Sequence, residues 1–78
     1  MREKQRRFVV TFPTTAGAMA MEKRCREAGL PGRLIPVPRS ITAGCGLCWA
    51  APVDSREAIE EFIVAGQIMV DGLYDILL

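Results

Sequence analysis

Three cysteines are the residues of this 78-residue chain whose chemistry could go beyond packing. Two of them, Cys45 and Cys48, lie three positions apart in PRSITAGCGLCWAAP, residues 38–52. Cysteines at this spacing are typical of a metal site, of a redox pair, or of one reactive thiol with an incidental neighbour. The chain has no histidine, which excludes imidazole as a general base and as a metal ligand.

Cys45 is the strongest candidate for a working thiol, because it stands between Gly44 and Gly46. Glycines allow unusual backbone angles and leave the sulfur approachable. Arg39 and the amino terminus of the preceding helix could both lower the pKa of this thiol, and the thiolate is the reactive form. The alternative is a cysteine that only fills a hairpin turn.

Cys48 is ambiguous from the sequence, because alternate residues of a strand point to opposite faces of a sheet. If a strand begins at Gly46, then Cys48 and Ala50 share one face, while Leu47 and Trp49 share the other. Cys48 is therefore either a small core residue or, if the loop bends, a resolving thiol for its neighbour.

A resident metal is not predicted, because a structural zinc site needs four ligands and this chain offers one cysteine pair. Cu(I) would need only Cys45 and Cys48, so a metal-binding or metallochaperone module is kept as an alternative. Copper chaperones of similar shape carry their pair between the first strand and the first helix. Here that position holds FPTTAG. No cofactor is predicted.

The composition of the chain limits the classes of partner that it can be expected to bind. A net charge of +1 gives no electrostatic case for binding nucleic acid or a membrane surface. No apolar run reaches the roughly 20 residues that span a bilayer, and no signal peptide is visible, so we expect a cytoplasmic protein with reduced thiols. The chain is predicted to be one small domain, residues 1–78, whose basic first six residues are a flexible, solvated start.

The hydrophobic pattern predicts four strands and two helices. The strands are expected at 7–12, 33–37, 47–51 and, around a bulge or turn at Asp71-Gly72, at 68–70 and 73–77. The first helix should begin after Thr14 or Thr15, either of which could cap it, and should end at 28. The second should span 56–65, with Asp54 and Glu57 approximating a capping box.

One helix face and one sheet edge can be predicted as well. The inward face of the first helix is expected to contain Ala18, Met21, Cys25 and Ala28, at helical spacing. Pro36 cannot donate to a strand ladder, so the second strand should lie at a sheet edge.

The order β-α-β-β-α-β predicts an α+β, ferredoxin-like split sandwich, with a four-stranded antiparallel sheet and two helices on one face. In this topology the loop between strands two and three lies at the same end as the start of the first helix. Thr14 and Thr15 should therefore lie at the same end as Cys45.

Three stretches resemble the selenium/sulfur carrier protein-like family of small bacterial and archaeal domains. They are TFPTTAGAMAMEK at 11–23, PVPR at 36–39 and CGL at 45–47. The resemblance covers about residues 7–75. It implies a protein that holds sulfur or selenium on Cys45 as a persulfide or selenopersulfide, with Arg39 as its electrostatic partner and Thr14 and Thr15 as the cap that faces it. Cys48 departs from the family pattern, which leaves open whether one thiol or two act.

The implied partners are a cysteine desulfurase or selenium donor and an acceptor enzyme, so the chain is expected to be a carrier and not a stand-alone enzyme. Attack by one exposed thiolate requires access and no deep pocket. An interaction domain without thiol chemistry is a third hypothesis. The apolar sequence ILL at 76–78 and an exposed strand edge could then pair two copies into a homodimer.

Overall fold

The structure is a computed structural model that describes residues 6–38, 41 and 46–77. Its elements, in chain order, are β1 (Arg6–Thr11), α1 (Thr15–Ala28), β2 (Arg33–Pro36), β3 (Leu47–Pro52), α2 (Arg56–Ala65) and β4 (Gly72–Leu77). The buried part of β1, residues 8–11, consists of aromatic and β-branched residues, as expected for a pleated strand. None of the described helices has the length and hydrophobicity needed to cross a membrane.

The four strands form one antiparallel sheet in the order β2-β3-β1-β4. This order, with a helix after β1 and another after β3, confirms the predicted ferredoxin-like α+β arrangement. The edge position of β2, predicted from Pro36, is also confirmed. β1 lies between β3 and β4, and its last four residues, 8–11, are buried.

The main core lies between the sheet and both helices. Its largest fully buried members are Phe8, Phe12, Met21 and Ile59, which come from β1 and its end, from α1 and from α2. The predicted inward face of α1 is confirmed for three residues, Ala18, Met21 and Cys25.

Ala28 was predicted on that inward face, and this was wrong, because its side chain is exposed. The helix ends at Gly29 in the left-handed conformation, with φ 75°. This turn carries the chain back, so that the N–H of Leu30 bonds to the carbonyl of Cys25 at 2.9 Å. Leu30 packs against the core in place of Ala28.

The helix-free face of the sheet has a second buried cluster, which contains Val9, Cys48, Ala50 and Ile41. Ile41 comes from the chain between β2 and β3, and it is 7% exposed. The connection between these strands therefore contributes a side chain that covers the face the helices leave open.

Two further predictions were wrong. Residues 68–70 form no strand, because the chain is still completing α2: Gln67 has φ 51°, and the N–H of Ile68 bonds to the carbonyl of Ile63 at 3.0 Å. The capping box at the second helix is absent as well. A 3-10 turn, Val53–Ser55, leads directly into α2, and the residue at its N-cap makes no side-chain cap hydrogen bond. Asp54 lies inside that turn and not at the N-cap.

Candidate thiol site at the loop end of the sheet

One end of the sheet collects the elements around the candidate site. We call it the loop end, and it is formed by Thr11, Pro36, Leu47 and Gly72, where β1 and β2 finish and β3 and β4 begin. Because α1 starts four residues after Thr11, it begins at this end too. The prediction that the start of the first helix and the β2–β3 connection share one end is confirmed.

The candidate residues divide into two groups. Thr14, Thr15, Gly46 and Cys48 are described by the structure. Arg39, Gly44 and Cys45 lie outside the described residues, so their proposed roles stay predictions from the sequence.

Thr14 is the residue that caps α1. Its backbone is extended, and its Oγ1 accepts a hydrogen bond from the N–H of Gly17 at 3.1 Å. Thr15 is the first helical residue, which decides between the two caps that the sequence left open. The first turn contains no acidic residue, so nothing on the helix itself neutralises the partial positive charge at this terminus.

Replacing Thr14 with alanine is expected to lower the free energy of unfolding by about 1 kcal/mol, the usual cost of losing a side-chain N-cap. Thr15→Ala is the matched control and should change stability much less, because alanine is a good helix former and this hydroxyl is not the cap. Urea unfolding of both variants measures the difference. Equal losses in the two would contradict the assigned cap.

Gly46 marks the return of the chain into the sheet. Its φ is 79°, a left-handed conformation that favours glycine, and a Cβ placed there would meet no atom within 4 Å. Its carbonyl accepts a hydrogen bond from the N–H of Val37 at 3.0 Å. This bond extends the β2–β3 hairpin by one rung and ties Gly46 to the loop end.

Cys48 is fully buried, on the face of the sheet opposite the helices. The predicted division of β3 is observed: Leu47 and Trp49 pack with the helix-side core, while Cys48 and Ala50 pack in the other cluster. Its position is that of a small core residue, one of the two interpretations that the sequence left open.

Cys25 is also fully buried, in the core beneath α1. Burial raises the pKa of this thiol, so it stays neutral in the folded protein. The unfolded chain ionises at a lower pH than the folded one, so this contribution to stability is present below the ordinary thiol pKa and is lost as the pH rises above it. A neutral buried thiol is a poor nucleophile.

Comparison with known proteins decides the family. The family model described as "Putative Se/S carrier protein-like" matches residues 7–75, which is most of the chain and includes Cys45. The chain belongs to this family. It is also 37% identical over 41 residues to "Uncharacterized protein YtiA" of Escherichia coli (strain K12). That match covers 53% of this chain and 48% of the relative, so it spans about half of each. No solved structure matches significantly.

Thr11 is a site neighbour that the sequence analysis did not single out. It is the one fully buried polar residue identified in the described core, and it lies opposite both Cys48 in β3 and Gly72 in β4. Its Oγ1 donates a hydrogen bond to the carbonyl of Gly72 at 3.4 Å. The signal was present in the alternation of β1, which puts Thr11 on the same face as Val9.

A metal centre receives no support from the part of the chain that the structure describes, where no group of three or more His, Cys, Asp or Glu residues could hold an ion. Cys45, one member of the predicted Cys45/Cys48 pair, lies outside the described residues. The burial of Cys48 leaves its sulfur without the open approach from solvent that exchange of a metal with a partner would require.

Proposed function

We propose that this protein carries sulfur or selenium on Cys45, as a persulfide or selenopersulfide, between a donor and an acceptor enzyme. Family membership supports a carrier role at the level of the family's description. The observation that carries the residue assignment is the burial of the other two thiols. Cys25 and Cys48 are both 0% exposed, which supports Cys45 as the thiol that reaches a partner protein in the folded state.

The surroundings of the loop end suit a thiolate. The amino terminus of α1, capped by Thr14 and free of acidic residues in its first turn, lies at the end of the sheet where the β2–β3 connection begins and finishes. Partial positive charge at a helix start lowers the pKa of a nearby thiol. Arg39 is the proposed cationic partner, and its contribution rests on the sequence alone.

The transfer needs no cofactor and no external oxidant. The thiolate of Cys45 attacks the outer sulfur of the donor's persulfide, the donor's S–S bond breaks, and the donor cysteine leaves as a thiolate. A new S–S bond joins the transferred sulfur to Cys45, and that sulfur keeps its oxidation state. An acceptor thiolate then repeats the step on the loaded carrier. A selenium atom follows the same path through an S–Se bond.

Loading from a cysteine desulfurase, followed by intact mass spectrometry, tests this proposal. The decisive comparison is between Cys45→Ser and alanine variants of the two buried cysteines. An adduct that disappears only in Cys45→Ser supports the carrier. If none forms, Cu(I) titration of the Cys45/Cys48 pair tests the metallochaperone alternative.

A second role, self-association through β4, is favoured by a different observation. β4 is a sheet edge, and two leucines on one of its faces, Leu73 and Leu77, are 43% and 61% exposed. Antiparallel pairing of two β4 strands about Asp75 would place each Leu73 opposite Leu77 of the second copy. The central Asp75 already pairs with Arg6 at 3.0 Å, which offsets the repulsion between two carboxylates.

If this homodimer forms, Leu77→Asp should convert it to a monomer, because the change buries an unpaired charge opposite a leucine. Val64→Asp is the control, since Val64 is similarly exposed but lies on α2. Sedimentation equilibrium of both variants and of the unchanged chain gives the answer. If the unchanged chain is a monomer, the proposed self-association is contradicted, and the carrier proposal is not affected.

A further inference from the structure

The buried indole of Trp49 has an unusual defect, a hydrogen-bond donor without an acceptor within the part of the chain that the structure describes. The residue is 3% exposed, and its Nε1–H is buried without a hydrogen-bond acceptor among the described residues. Native proteins rarely leave a buried donor without an acceptor. Each such donor needs an explanation, such as a water, an ion or a ligand that accepts its hydrogen bond. No other buried side-chain nitrogen or oxygen in the described part of the chain shares this defect.

Trp49 lines a cleft between the end of α1 and the start of β2, with a volume of about 330 Å³. We call it the Trp49 cleft. Gly32, another lining residue, lies directly against the indole nitrogen: a Cβ placed there would fall 2.6 Å from Nε1. Any other residue at this position would overlap the indole ring, so only glycine lets the backbone pass this close to the donor.

The charged residues that line the cleft make it cationic. Arg26, Arg33 and Glu22 all belong to its lining. Arg26 pairs with Glu22 at 3.5 Å, whereas Arg33 makes no ion pair within the described residues. One guanidinium is therefore uncompensated, and guanidinium groups recognise carboxylate and phosphate oxygens.

We propose that the Trp49 cleft binds a small molecule through an oxyanion group, a carboxylate or a phosphate. One oxygen of that group accepts the hydrogen bond of the Trp49 Nε1–H, and Arg33 supplies the opposite charge. The volume is at the lower end of the range for small-molecule pockets, which fits a ligand of few atoms.

Access requires a local movement. Gly32 covers the indole nitrogen, and it ends a short turn that begins at Gly29. Both glycines have positive φ, 75° and 131°, so the turn is bounded by the two residues best able to change conformation. The ligand enters as this turn moves off the ring.

The site is separate from the proposed carrier thiol. Arg33 is the first residue of β2, whereas Pro36, the last residue of that strand, lies at the loop end. The indole also lies on the helix side of the sheet, on the face opposite Cys48. Binding in the cleft can therefore be measured without loading the thiol.

The chain contains one tryptophan, so a ¹H–¹⁵N spectrum has a single indole cross-peak, which reports on this donor directly. Sodium acetate and sodium phosphate are the two probes, and sodium chloride at the same ionic strength is the control. We expect a saturable shift of the cross-peak with one of the two probes and not with chloride. The probe that binds more tightly identifies the carboxylate or the phosphate as the preferred group.

Arg33→Gln should weaken that binding by about fivefold, the contribution of one partly exposed ion pair. Lys23→Gln removes the same charge from an exposed position of α1 outside the cleft, and it should leave the affinity unchanged. Three results would overturn the proposal: no shift with either probe, a shift equal to that with chloride, or equal affinities in Arg33→Gln and the unchanged chain. If the cross-peak already has the chemical shift of a hydrogen-bonded indole and neither anion moves it, a bound water accepts the hydrogen bond of the Trp49 Nε1–H.

Discussion

Cys45→Ser is expected to abolish the sulfur adduct that the unchanged protein acquires from a cysteine desulfurase supplied with cysteine. A serine hydroxyl cannot form a persulfide, and the two remaining thiols are buried at 0% exposure in the folded chain. Intact mass spectrometry should show a gain of one sulfur in the unchanged protein and none in the variant. Reduction with dithiothreitol should remove the adduct, as expected for an S–S bond.

Alanine variants of the buried cysteines are the matched controls for this experiment. Cys25→Ala and Cys48→Ala each remove a buried thiol that a partner cannot reach, so both should still load. Loss of the adduct in Cys48→Ala, with the fold intact, would show that two thiols act. A loss of two protons that needs both Cys45 and Cys48 would indicate an internal disulfide and would contradict a one-thiol carrier.

Gly32→Ala is expected to lower stability more than alanine at any other glycine that the structure describes. The backbone at Gly32 has φ 131°, where L-residues are strained. The added Cβ would also lie 2.6 Å from Nε1 of Trp49 and 2.8 Å from the carbonyl oxygen of Ala50. Because a backbone atom is one of the two obstacles, a rotamer change cannot relieve the overlap. Strain and overpacking together should cost about 3 kcal/mol or more.

Gly29→Ala provides the comparison that separates strain from overlap. Gly29 also has a positive φ, 75°, but nothing lies within 4 Å of its Cβ position. Only the left-handed backbone penalty of about 1–2 kcal/mol should then apply. Urea unfolding followed by the fluorescence of the single tryptophan measures both variants. If Gly32→Ala loses no more stability than Gly29→Ala, the packing of the α1–β2 turn against the indole is wrong.

Much of the fold follows from local patterns. The alternation in β3 predicted which residues share a face, and the buried clusters on the two sides of the sheet confirm it. The threonine pair after β1 predicted the cap of α1, and Thr14 is that cap. Both inferences succeeded because strand alternation and N-cap chemistry depend on residues close in sequence.

The errors arose where a local signal competes with a distant contact. The run at 68–70 is as apolar as a strand, yet the bond from Ile68 to Ile63 keeps it attached to the end of α2. The next residue, Asp71, then bonds to the carbonyl of Thr11 at 2.7 Å, and only from Gly72 does a ladder form. Hydrophobicity in a short segment does not show whether it pairs as a strand, and here Met69, in the middle of the run, is 76% exposed.

The sequence by itself determined the element order and the ferredoxin-like class, because both depend on residue types, their spacing and their alternation. Its three resembling stretches indicated the family, and it singled out Cys45 as a candidate thiol, which stays a prediction. The tertiary structure alone decided which thiols are inaccessible, that Ile41 covers the helix-free face, and that the Trp49 indole nitrogen lies beneath Gly32 without an acceptor. Alternation assigns a side chain to a face of a sheet, but what packs on that face comes from residues far away in the chain. Burial, and with it the reactivity of a thiol or the satisfaction of a donor, is therefore a property of the assembled fold.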